Sequence, residues 1–148
     1  MTDGQARGAA PGPADPGRAP LLLVDGANVV GSVPDGWWRD RRGAAERLRD
    51  RLAGRDGPEE LVLVVEGAAR GVSSVPGVRV VSAPGSGDDA MVELVRAERG
   101  RDGQGRDGRA RRCLVVTADR ELRERVRALG AEVVGPRQLL AEIPRGER

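Results

Sequence analysis

Short apolar runs alternate along this chain with longer stretches in which apolar residues recur every three or four positions. Five runs have strand length: Leu21–Val24, Leu61–Val65, Val78–Val81, Cys113–Val116 and Glu132–Val134. They are leucine-rich or β-branched and bounded by turn residues, the pattern of strands buried on both faces. Between them, helical spacing links Ala45, Leu48 and Leu52 after Trp38; Met91, Leu94 and Val95 after an Asp pair; and Leu122, Val126 and Leu129 after Asp119. Gly54, Gly100 and Gly130 stand where helices end, and Pro136 opens a last short helix carrying Leu139, Leu140 and Ile143. Strands alternating with helices predict an α/β fold with a mainly parallel sheet of about five strands, covered on both faces. The tightest connection is Glu66 to Gly77, barely long enough for a parallel crossover.

The flanks read differently. Residues 1–20 are rich in Gly, Pro and Ala without apolar period and are expected to form a disordered tail, with the domain spanning 21–143 and a short tail at 144–148. Within the domain, residues 100–112 (GRDGQGRDGRARR) predict a flexible basic loop. Its arginines, Arg101, Arg106, Arg109, Arg111 and Arg112, look like an RNA patch, yet a loop leading from helix to strand lies at the N-terminal edge of a parallel sheet, away from the ligand crevice. The apolar runs are strand-sized and residues 1–20 lack the apolar segment of a signal peptide, so a cytoplasmic protein without membrane association is expected.

Composition narrows the chemistry. Among 148 residues there is one cysteine and no histidine, and all 25 basic residues are arginines. One Cys allows no internal disulfide, and without His it completes no conventional zinc site; Cys113 reads as a buried strand residue. Absent Lys excludes P-loop phosphate binding, Schiff-base chemistry and lysine-dependent phosphoaspartate sites. Acids, arginines, hydroxyls and metal ions remain. The net charge is only +2, but a pI near 9.8 suits a nucleic-acid partner.

The acids gather at one place in this scheme. Asp25 ends the first strand and Glu66 the second, Asp88 and Asp89 open the helix after the third, and Asp119 follows the fourth in VVTADREL. All fall at the C-terminal edge of the sheet, where ligands bind. Each has a plainer reading: Asp25-Gly26 as a turn, Asp88, Asp89 or Asp119 as helix caps, with Ser86 a capping partner of Asp89. Capping does not explain why two strands also end in acids, nor Glu93 one helical turn beyond Asp89. Converging carboxylates repel unless cations or protons compensate, and hard oxygen ligands without His or Cys suit magnesium or manganese. Gly85-Ser86-Gly87-Asp88-Asp89-Ala90 also matches a dinucleotide fingerprint, but two acids at that helix start would repel a pyrophosphate.

The motifs VDGANV, VVEG, SGDDAMVE and VVTADREL, in this order, resemble the NYN family of PIN-like ribonucleases, in particular its bacterial YacP-like branch. The resemblance covers roughly Leu21 to Leu140. It implies a PIN-like α/β/α sandwich with strand order 3-2-1-4-5. It further implies catalytic and metal-holding acids at Asp25, Asp89 and Asp119, with Asn28 beside the first. Asp88 and Glu66 are further metal contributors; Glu stands at 66 where the family commonly has Asp. Such a site implies a Mg2+- or Mn2+-dependent endoribonuclease hydrolysing single-stranded or loop RNA, with Thr117 and Glu93 supporting the ligating acids and Asn28 orienting the phosphate or a water. Arg39, Arg41, Arg42 and Arg70 are placed to reach phosphates and Trp38 to stack on a base. Association with the ribosome or with a second copy stays open. The other readings are a PIN-like RNA-binding module with weak or lost catalysis, and a phosphatase of another α/β fold, which absent Lys and the Ala at position 27 disfavour.

Overall fold

The computed structural model describes residues 19–99 and 111–145. Residues 1–18 of the expected N-terminal tail, most of the basic loop and the last three residues of the C-terminal tail lie outside the described residues. Five strands, β1 (Leu21–Asp25), β2 (Glu60–Val65), β3 (Val78–Ser82), β4 (Cys113–Val116) and β5 (Glu132–Val134), form one sheet in the order β3-β2-β1-β4-β5. All four pairings are parallel, with Leu23 opposite Val62 on one side and Val115 on the other. The helices are α1 (Gly26–Gly31), α2 (Arg41–Ala53), α3 (Gly87–Arg99), α4 (Arg120–Ala128) and α5 (Pro136–Glu142). None of the described helices is long and apolar enough to cross a membrane.

Side chains alternate across each strand, so each strand feeds two cores. Leu22 and Val24 of β1 join Leu61, Leu63 and Val65 of β2 under α1, α2 and α5, where Val29, Leu48, Leu52 and Leu139 close the layer. Leu21 and Leu23 join Val62, Val64 and Val115 on the opposite face under α3 and α4, packed by Met91, Val95, Leu122 and Val126. Cys113 is buried there as well.

Two local features depart from the expectations. The Asp25-Gly26 pair is not a turn: α1 begins at Gly26, with Asp25 as its cap accepting from the Asn28 N–H. Glycine is needed at 26 because a Cβ there would lie 2.5 Å from the Val64 carbonyl oxygen of the neighbouring strand. The Glu66–Gly77 crossover carries no α-helix. A 3-10 turn at Gly67–Ala69 and a bridge between Val75 and Val78 carry the chain to β3, which still pairs parallel.

Candidate functional site

The alternation that builds the cores also aims the strand-end acids. Asp25 continues the Leu21–Leu23 series and Glu66 the Val62–Val64 series, so both lean toward the face covered by α3 and α4. The first turn of α3 carries Asp88 and Asp89, and Asp119 caps α4.

Asp25 is 6% exposed. One carboxylate oxygen, Oδ2, accepts from the buried Thr117 hydroxyl at 2.8 Å, and Oδ1 accepts from the Asn28 N–H at 3.3 Å. Burial pushes its carboxyl up from 3.8 to about 6; these two hydrogen bonds pull it down, and the nearby acids Asp88 and Glu66 raise it further. Asp88, half-buried, is also raised, by desolvation first and then by Asp119 and Glu66. Thus Asp25, Glu66, Asp88 and Asp119 share one electrostatic neighbourhood.

Glu66, Asp119, Thr117 and Asn28 also hold the backbone at the site. Glu66 accepts from the Gly87 N–H and so fastens the end of β2 to the start of α3. Asp119 accepts from Leu122 N–H at 2.9 Å, capping α4, a contact worth about 1 kcal/mol. The Thr117 hydroxyl accepts from the Asp119 N–H at 3.1 Å while donating to Asp25. Asn28 joins the two central loops through its Oδ1, which accepts from Ala118 N–H at 2.8 Å.

Asp89 and Glu93 stand apart. Asp89 is exposed, its N–H donates to Ser86 Oγ at 3.1 Å, and its carboxylate pairs with Arg125 at 3.1 Å. Glu93 pairs with Arg96 on the outer surface of α3. Of the Asp pair it is Asp88 that feels the other acids. Arg125 was not singled out in the sequence, where it is one arginine among several in α4. It pairs with Asp89, and its charge also draws the Asp88 carboxyl down.

The four arginines and Trp38 expected to meet RNA divide into two groups. Arg42 donates to the carbonyls of Arg70 and Gly71, at 2.8 and 3.1 Å, and Arg70 to the Ala83 carbonyl at 2.8 Å, so both tie loops together. Arg39 lies 5.6 Å from the Trp38 ring centre and Arg41 5.4 Å from that of Trp37, and the two indoles meet edge to face. Trp38 is 56% exposed. Arg111 and Arg112, from the basic stretch, are engaged at the opposite edge. Arg111 is buried, donating to the Ala19 carbonyl at 2.7 Å and pairing with Glu60 and Glu98, and Arg112 is paired with Glu132.

The donor set suits a hard divalent ion: oxygen ligands only, with Asp25 and Asp88 both held less readily ionised than free carboxylates, a burden that a cation relieves. Among the described residues no three acids already stand at the spacing that a bound ion requires. Loading would therefore need side-chain adjustment.

A parallel five-stranded α/β sheet of order 3-2-1-4-5 with its acids along the C-terminal edge defines the class of fold. Solved structures that share it include two of Rae1 (YacP) from Bacillus subtilis. A Trp-to-Leu variant aligns with TM-score 0.66 and 21% identity over 83% of this chain and 74% of that one. The other structure aligns with TM-score 0.63 and 21% identity over 82% and 72%. The fold is thus YacP-like. No family model matches the chain, and no curated protein does.

Proposed function

We propose that this chain is a Mg2+- or Mn2+-dependent endoribonuclease acting on unpaired RNA. The observation that carries the reading is the buried Asp25 carboxylate, which feels the charges of Asp88 and Glu66 while Asp88 feels that of Asp119, in a chain with no Lys or His to neutralise them. The YacP-like fold and the motif resemblance agree with it. Asp25, Asp88 and Asp119 are the residues that would hold the ion, with Asp89 reaching it only on release from Arg125. When bound, the ion supplies Lewis-acid stabilisation of the charge that develops on the phosphate.

The remaining work falls to side chains. Thr117 fixes the orientation of the Asp25 carboxylate. Asn28, whose Oδ1 is engaged by Ala118, keeps its amide Nδ2 to donate to a phosphate oxygen. Arg39 and Arg41 give the strand a cationic approach, and the exposed Trp38 face offers a stacking surface for a base.

The test is cleavage of labelled RNA with manganese by wild type, by Asp119→Asn and by wild type in chelator. Asn keeps an oxygen to cap α4, so a folded Asp119→Asn protein that has lost cleavage supports the proposal. Equal cleavage in all three arms refutes it. Binding without cleavage by wild type as well as variant would instead favour an RNA-binding module.

A further inference from the structure

Beside the acidic edge lies a second feature that the acids do not account for. A cavity of about 380 Å³ opens between α1, the 3-10 turn at Trp37–Arg39 and the turn after β2. Its walls are largely apolar, with Val65, Ala69 and the Trp37 ring, and two guanidinium-bearing residues, Arg41 and Arg70, border it. Gly26 and Glu66 line it too. Gly26 directly follows Asp25, and Glu66 belongs to the acid group, so the cavity and the acidic edge share a border.

We infer that this cavity is a subsite for one unpaired nucleobase of the RNA, the nucleotide next to the phosphate at the acidic edge. The inference rests on the nuclease reading for its placement on a substrate, but its physical case is separate. The volume falls at the lower end of those that enclose small ligands, enough for one base and too small for a paired duplex. Apolar walls with an indole on one side suit a flat, poorly hydrated ring, and base–aromatic stacking needs no particular sequence. The arginines supply charge complementarity at the border. The Arg70 guanidinium is held in place by the carbonyls of Ala83, Pro84 and Gly85, and Arg41 lies against the Trp37 ring, so positive charge is kept near the cavity without filling it. A phosphate flanking an inserted base would meet that charge. Trp37 and Trp38 then have distinct tasks: Trp37 walls the cavity, and Trp38 remains on the outside.

The two tryptophans are the chain's only aromatic residues, which makes the test direct. In Trp38→Phe protein, Trp37 alone reports. Guanosine monophosphate should quench its emission saturably, whereas ribose 5-phosphate, which carries phosphate but no base, should not. Adding Ala27→Leu, which puts a larger side chain into the exposed lining of the cavity, should weaken the nucleotide at least about tenfold, as expected when a stacked base is excluded. Equal quenching by ribose 5-phosphate, no quenching at all, or undiminished binding in the Ala27→Leu protein would each overturn the subsite. Quenching that behaves as expected in a protein that never cleaves RNA would support the subsite while removing the nuclease reading, so the two can fail separately.

Discussion

Asp25→Asn should make this protein more stable at neutral pH while removing the proposed RNA cleavage. Burial raises the Asp25 carboxyl from 3.8 to about 6. Between those pH values the native state keeps a proton that the unfolded chain has released, so stability falls as pH rises through the window. Above about pH 6 the ionised carboxylate burdens the folded state by about 3 kcal/mol. Asparagine has nearly the same shape and no charge, but one oxygen cannot accept from both Thr117 and Asn28; losing the longer bond, 3.3 Å, costs about 1 kcal/mol. The net gain is about 2 kcal/mol at pH 8, a rise in Tm of roughly 4–8 °C for a chain of this size. At pH 5 the same linkage leaves a burden of about 1–2 kcal/mol, because the native carboxyl has by then regained most of its proton, and the net gain falls below about 1 kcal/mol. Urea denaturation of both proteins in chelator, at pH 5 and pH 8, measures both values. A variant no more stable than wild type at pH 8, or one whose advantage is the same at both pH values, would refute the reasoning.

Three further outcomes follow from the same contacts. Thr117→Val removes the hydroxyl that donates to Asp25 and accepts from Asp119 N–H; the Asp25 titration followed by carboxyl NMR should move further upward, and stability should drop by about 1–3 kcal/mol. Arg111→Met removes the partner of Glu60 and of the Ala19 carbonyl at the edge remote from the acids; both are solvent-accessible, so it should destabilise by about 1 kcal/mol in urea titrations without changing RNA affinity; weakened RNA binding in a folded variant would put that edge in the interface. Gly26→Ala drives a methyl group to 2.5 Å from the Val64 carbonyl oxygen and should cost about 1–3 kcal/mol, read as a lower midpoint in thermal unfolding, whereas Gly85→Ala, with nothing near its Cβ, should leave the midpoint almost unchanged.

What the sequence made legible follows the range of the forces involved. The central strands β1, β2 and β4 were readable to within a residue because burial on both faces leaves an uninterrupted apolar run, and the edge strands β3 and β5 by their β-branched residues; the parity of each strand then decides which acids share a side. The six-residue α1 was not: GANVVG is too short for a helical period, and Val29 burial and the Asp25 cap, rather than propensity, hold it in place. Between Asp88 and Asp89 the resemblance favours Asp89, but side-chain direction in the fold is not legible from motif spacing. Adjacent helical residues point about 100° apart, and only the docking of Met91, Val92 and Val95 turns Asp88 toward the acids and Asp89 toward Arg125.

The arginines were the hardest residues to read, for a reason specific to their chemistry. A composition with 25 arginines and no lysine invites a nucleic-acid explanation for each, yet guanidinium donors form a rigid fork that can hold several carbonyls at once, which an ammonium does less well. Arg42 holds two carbonyls of the β2–β3 crossover, Arg70 spans three in the loop before α3, and Arg99 and Arg111 link the edge opposite the acids. Here arginine does much of the loop fastening. What distinguishes Arg39 and Arg41 is that their guanidiniums rest on indole faces rather than on carbonyls. An arginine stacked on an aromatic ring keeps its donors for an incoming phosphate, so the cation–π pairs, and not the count of positive charges, mark where the proposed RNA substrate would meet this surface.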